Sequence, residues 1–175
     1  MLYHFEIALS DVDRSIYQSL DFRVSQHRSE NGLYLLTRTL AYCLSYQENL
    51  EFTPGGLNDP DAPALQARSA MGGFDLLIEI GNPTPKRLHK TSKASDHVAI
   101  YTYKNPDLIV KEVASENVHR AEKILIHAFE QEFLEKIEAV LKKNNKWSLL
   151  HQDGHLDLGA DGLTFSTHMR QLFAR

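Results

Sequence analysis

Cysteine is nearly absent: Cys43 stands alone in 175 residues. No disulfide can close within the chain, which suits a reducing compartment. Cys43 lies in an apolar helical pattern, and a buried thiol needs a cationic neighbour to become reactive, so it reads as an inert core residue. Long apolar runs are also missing. No window approaches the ~20 apolar residues of a membrane-spanning helix. The opening stretch MLYHFEIALSDVDR has no basic segment followed by an apolar one, so no signal peptide is expected and a cytoplasmic protein is read. Positive charge is not in excess. Lys and Arg number 19 against 23 Asp and Glu, a net charge of −4. A protein that coats nucleic acid by charge alone would be basic, so any such contact must use a local patch. There is no Walker loop, dinucleotide-binding glycine fingerprint, zinc-ligand spacing or nucleophile elbow.

What is present is an ordinary globular composition, 42% hydrophobic and 24% charged. Without linkers, repeats or low-complexity segments, one domain over residues 1–175 is expected. LYHFEIALS alternates Tyr3, Phe5, Ile7 and Leu9 with polar positions, and SLDFRVSQH does the same. Both read as half-buried strands that pair through the segment DVDRSIYQ. SENGLYLLTRTLAYCLSYQ places Leu33, Leu36, Leu40 and Leu44 at helical spacing, with Ser29 as the expected N-cap. EFTPGGLNDPDAP reads as loop. GGFDLLIEIG is a strand, TPKRLHKTSKASD a short helix, and HVAIYTY a buried strand. NPDLIVKEVASE is a helix with Asn105 as cap and Pro106 first. EKILIHAF is a further strand, and EQEFLEKIEAVLKKN an amphipathic helix. The tail carries Asp-Gly twice between alternating runs, a hairpin signal. The order predicts an α/β fold with one mixed central sheet flanked by helices.

The stretch FDLLIEIGNPTPKRLHKTSK carries the most chemistry. Glu79 shares a strand face with Leu77 and precedes a break at Gly81-Asn82-Pro83. An acid so placed either pairs with a cation or holds a metal ion. Lys86, Arg87, Lys90 and Lys93 follow, with Lys86, Lys90 and Lys93 on one helical face. Asp75 lies on the face of Glu79, but four strand residues separate their Cα atoms by roughly 13 Å. One ion, with oxygen ligands ~2–2.6 Å away, cannot use both. A second ligand must come from elsewhere: Asp59 or Asp61 in the preceding loop, or Glu30 in the first turn of the long helix. The alternatives are a solvated basic helix surface and, for Glu30, stabilisation of a helix N-terminus. The tail histidines and aspartates, His151 to Asp161, do not have calcium-loop spacing and read as turn residues.

Several blocks occur in a recognisable order: SDVDR, HRSEN, RTLAY, LEFTPGGL, DLLIEIGNP, RLHKT and VAIYTY. Together they resemble the YaeQ family of bacterial proteins along nearly the whole chain. The departures are His27-Arg28-Ser29-Glu30-Asn31 where the family has His-Pro-Ser-Glu-Thr, and Leu77 and Tyr42 where it has tryptophan. The resemblance implies a variant of the PD-(D/E)XK restriction-endonuclease-like fold. Nucleases of that fold bind Mg²⁺ through two strand acids, use a lysine two residues after the second acid, and draw a further acid from a helix. The metal neutralises the scissile phosphate and activates water. Carried onto this chain, Glu79 fits the second acid. The lysine position is Gly81, so Lys90 is the candidate for a migrated lysine. Pro60-Asp61 supplies the Pro-Asp pair, and Glu30 the helix acid. The resemblance thus implies Glu79 and Lys90 as catalytic residues, and Glu79, Asp61 and Glu30 as ligands of Mg²⁺ or Mn²⁺. Three functions remain open: metal-dependent phosphodiester cleavage of nucleic acid; a non-catalytic nucleic-acid- or protein-binding module on a degenerate nuclease fold; and an interaction protein with no nucleic-acid role.

Overall fold

A computed structural model describes all residues, Met1 to Arg175. The first two strands form as their alternation demands. β1 (Leu2–Asp11) and β2 (Ile16–Ser25) pair antiparallel around the turn at residues 12–15. The long helix α1 (Gly32–Leu44) follows. Its N-cap is Asn31, whose side chain accepts from the Tyr34 amide at 2.8 Å, not Ser29. The Ser29 hydroxyl is 2.7 Å from the His27 ring instead. The stretch expected to be loop supplies β3 (Leu50–Phe52), and β4 (Leu65–Arg68) runs antiparallel beside it. Both are short, which left little alternation to read.

β5 (Phe74–Ile80), α2 (Pro85–Ala94), β6 (Val98–Thr102), α3 (Pro106–Ala114) and β7 (Leu125–Ala128) form two crossover units. The three strands are parallel. Asn105 caps α3 and Pro106 opens it, as its sequence predicts. α4 (Gln131–Glu138) ends before its pattern does, and β8 (Asn144–Gln152) follows after a short connection. The two Asp-Gly pairs then make β8, β9 (His155–Ala160) and β10 (Leu163–His168) a three-stranded meander. Asp153, Gly154, Asp161 and Gly162 all have φ between 51° and 79°. That is the left-handed pair of a type I′ turn, which Asp-Gly tolerates. A final strand, β11 (Arg170–Phe173), pairs antiparallel with β7.

The expected single sheet is two mixed sheets. One has the order β10-β9-β8-β1-β2, the other β11-β7-β6-β5-β4-β3. β8 runs parallel to β1, which draws the C-terminal meander away from the β5–β7 sheet. α1 and α4 join both sheets in one apolar cluster that includes Phe5, Leu36, Leu40, Ile78, Tyr101, Phe133 and Trp147. A second cluster, with Leu88, Ile100, Ile109, Val113 and Ile126, packs α2 and α3 on the other face of the six-stranded sheet. Leu88 and Ile109 thus seal the face that carries Glu79. No helix is long and apolar enough to cross a membrane.

Candidate functional site

Glu79 is the next-to-last residue of β5. Period two turns Ile78 and Ile80 toward α1 and turns Glu79 toward α2. The chain reverses over Gly81 to Thr84. Thr84 then caps α2 by accepting from the Arg87 amide at 3.2 Å. Arg87 and Thr91, one helical turn apart, meet the Glu79 carboxylate. Arg87 Nε donates to Oε2 at 2.8 Å, and Thr91 Oγ1 donates to Oε1 at 2.9 Å. The remaining guanidinium nitrogens of Arg87 donate to the carbonyls of Pro60 and Ala62 and pin the 59–63 loop to α2. Glu79 is only 3% exposed. Burial pushes its carboxyl above the ordinary glutamate range, with the Arg87 charge and the Arg87 and Thr91 hydrogen bonds pulling the other way.

A cleft of about 280 Å³ opens above this pair, lined by Tyr34, Arg38, Asp59, Thr84, Glu79 and Arg87 among others. Glu30 supports its far wall. It precedes the N-cap of α1 and does not lie in the first helical turn. Its carboxylate takes Arg38 Nε at 3.1 Å, Arg38 Nη2 at 2.9 Å and the His27 amide at 3.0 Å. The Glu30 side chain is fully buried and that of Arg38 is 8% exposed. Tyr34 stands between the two pairs. Burial raises its hydroxyl above the ordinary tyrosine range, and the charges of Arg38 and Arg87 oppose this.

The structure separates the residues that the sequence grouped. Lys90 does not line the cleft; its ammonium lies 3.9 Å from Asp61, and both side chains are exposed. The face of α2 that turns inward is Leu88, Thr91 and Ser92, which sends Lys86, Lys90 and Lys93 to solvent. Arg87 takes the place next to Glu79. Its signal in the sequence was the i, i+4 relation to Thr91, beside buried Leu88. Asp61 is also outside the cleft, and its neighbour Asp59 lines it. Asp75 accepts from Asn49 at 3.0 Å, away from Glu79. Gly81 has φ +87°, a left-handed conformation that lysine adopts only with strain. The turn geometry itself therefore disfavours a lysine two residues after Glu79.

These donors do not fit a resident Mg²⁺ or Mn²⁺. Such ions need several oxygen ligands at ~2–2.6 Å. Glu79, Asp61 and Glu30 do not gather as a ligand group, and two of the three carboxylates already hold guanidinium groups. The only group of three metal-ligating side chains within 4.8 Å of one another is His4, Glu6 and Asp21 on the five-stranded sheet, partly or fully exposed.

The profile of the family described as "YaeQ protein" matches residues 1–169. The chain belongs to the YaeQ family. It is 31% identical over 102 residues to "Uncharacterized protein YaeQ" of Escherichia coli K12, an alignment covering 58% of this chain and 56% of that protein. The chain thus spans little over half of that YaeQ relative's length. The match to the Salmonella typhi protein of the same name is 30% over 102 residues, again 58% of this chain and 56% of that one. The crystal structure of YaeQ from Pseudomonas syringae superposes with a TM-score of 0.87 at 28% identity, covering 98% of this chain and 95% of that one. That of YaeQ from Xanthomonas axonopodis pv. citri gives 0.89 at 26%, covering 99% and 98%. The two-sheet architecture is therefore close to that of YaeQ structures.

Proposed function

We propose that this chain is a non-cleaving nucleic-acid-binding module built on a nuclease-like fold. The observation that carries the reading is the engagement of Glu79 by Arg87 and Thr91 beside an exposed row of lysines. An acid closed off by a guanidinium cannot readily serve as a metal ligand. Lys86 and Lys93 have no carboxylate partner, and Lys90 is held loosely at 3.9 Å. Three cations on one helical face suit successive phosphates, which attract by charge and counterion release rather than by sequence. The order α1-β3-β4-β5-α2-β6 supports the nuclease-like ancestry that the resemblance implies.

The test is fluorescence anisotropy with labelled single- and double-stranded DNA and RNA, at 50 and 200 mM salt. Binding is expected at low salt and is expected to weaken steeply at high salt. Replacing Lys86, Lys90 and Lys93 by glutamate should lower the log–log salt slope by roughly 2–3, since each lost phosphate contact removes about 0.7–0.9. No binding at 50 mM salt would refute the reading. Mn²⁺-dependent cutting that Glu79→Gln abolishes would replace it with the nuclease.

A further inference from the structure

A second cleft, of about 500 Å³, opens where the two sheets face each other, and it shares no lining residue with the Glu79 cleft. Strand register assembles it. Parallel β1 and β8 set Asp11 beside His151. Parallel β6 and β7 set Tyr101 beside His127, and β11 sets Gln171 on the other side of His127.

Of the acids in this cleft, Asp11 is compensated by the protein itself, while Asp13 is partly exposed and His151 Nε2 near it has no hydrogen-bond partner. Asp11 is fully buried, with Arg14 Nε donating to it at 2.7 Å and His151 Nδ1 at 3.1 Å. The remaining Arg14 nitrogens donate to the carbonyls of Tyr46 and Cys43. Asp13 accepts from the Asp153 amide with both oxygens and lies 3.6 Å from His151 Nε2. The donors are not all used. His127 is 7% exposed and stacks on Tyr101 with ring centroids 4.4 Å apart. Its Nδ1 is 3.0 Å from Gln171 Nε2, while its Nε2 makes no hydrogen bond within the protein. Burial lowers the ring to about 4, with the charges of His151 and Arg14 adding to the effect. The ring is therefore neutral near pH 7. With the Gln171 amide donating to Nδ1, the ring proton sits on the free Nε2. Lys123 is exposed on the same cleft and has no acidic partner. Between these groups the walls are apolar: Leu76, Val98, Leu125 and Met169.

We propose that this cleft binds a small carboxylate with a short aliphatic tail. The carboxylate accepts from His127 Nε2 and pairs with Lys123, and the tail lies against the apolar walls. The volume is in the ~300–1,000 Å³ range of small-molecule sites, which combine apolar walls with a few placed polar groups. One ring N–H and one ammonium match a single negative charge. A phosphate dianion would leave oxygens facing leucine and valine, at a desolvation cost that the cleft does not offset.

Isothermal titration calorimetry of the full chain at pH 7 with octanoate tests this, with 1-octanol and inorganic phosphate as separate probes. Octanoate is expected to saturate one site, with octanol and phosphate at least tenfold weaker. Lys123→Met and His127→Gln should each weaken octanoate roughly tenfold, the scale of a hydrogen bond to a charged group. Lys123 is exposed, so its variant tests the site without disturbing the core. Absence of saturable octanoate binding would overturn the proposal, as would octanol or phosphate binding as tightly as octanoate. Undiminished affinity in Lys123→Met would do the same.

Discussion

Two buried carboxylates, each held by an arginine, show how one residue type meets different fates. Glu30 is fully buried and takes three hydrogen bonds, two of them from Arg38. Replacing it by glutamine would leave the Arg38 guanidinium buried without a counter-charge. Removing one partner of such a pair costs on the order of 3–5 kcal/mol. Urea denaturation of Glu30→Gln should show a loss of about that size, and a further Arg38→Met change should restore part of it. His127 makes a different prediction. Its folded pKa of about 4 lies below the ordinary 6.5, so the unfolded chain binds the extra proton first as pH falls. Its contribution to stability is complete above pH 6.5 and declines as pH falls toward 4. One pKa unit is 1.36 kcal/mol, so the full effect is on the order of 3 kcal/mol. Glu79 works in the opposite sense, since its raised pKa favours folding as pH falls. The difference between the parent and His127→Gln isolates the histidine. The variant should lose less stability between pH 7 and pH 4.5 than the parent does. Equal losses would mean that other groups set the slope.

At the scale of an element, α1 begins two residues later than its sequence suggests, with Asn31 rather than Ser29 as its cap. Ser29, Glu30 and Asn31 are all plausible around a helix start. Asn31 caps because Glu30 is drawn inward by Arg38 and His27, which fixes the backbone before the helix. The Ser29 hydroxyl faces the His27 ring and contributes nothing to the α1 amides. Asn31→Ala should therefore destabilise the protein by ~1 kcal/mol, and Ser29→Ala by less than about half of that. Melting curves of the two variants decide it; equal effects would return the cap to Ser29. α2 shows the same logic on its sides. Leu88, Thr91 and Ser92 are its buried positions, so the helix rotates to bring Arg87 rather than Lys90 to the end of β5.

The whole molecule is held by one apolar cluster that reaches from Phe5 and Trp147 in the five-stranded sheet, through α1 and α4, to Ile78 and Tyr101 in the six-stranded sheet. Neither sheet can lose its inner face without exposing the other. Trp147 is the only tryptophan and is 5% exposed. Its fluorescence reports on the five-stranded sheet, whereas far-ultraviolet circular dichroism is dominated by the helices. The two transitions in urea should coincide at one midpoint. Separate midpoints would show that the sheets unfold independently.

The sequence by itself determines what depends on a few neighbouring residues. Alternation in Tyr3–Leu9 specifies a strand, Asp153-Gly154 and Asp161-Gly162 specify two tight turns, and Asn105-Pro106 specifies the start of α3. Its ordered blocks also placed it with the YaeQ family, which the family profile bears out. Glu79 was legible as a carboxylate that must find a cation, because a charge on a strand face is costly unless paired. Only the tertiary structure decided which cation. Arg87 and Lys90 are both within a turn of each other on α2, and the burial of Leu88 chooses between them. It alone also decided that there are two sheets. β8 pairs with β1 across more than a hundred residues of chain, and Asp11 meets His151 only through that register. Such pairings are selected by the summed burial of both sheets against α1 and α4, a quantity that no short window of sequence contains.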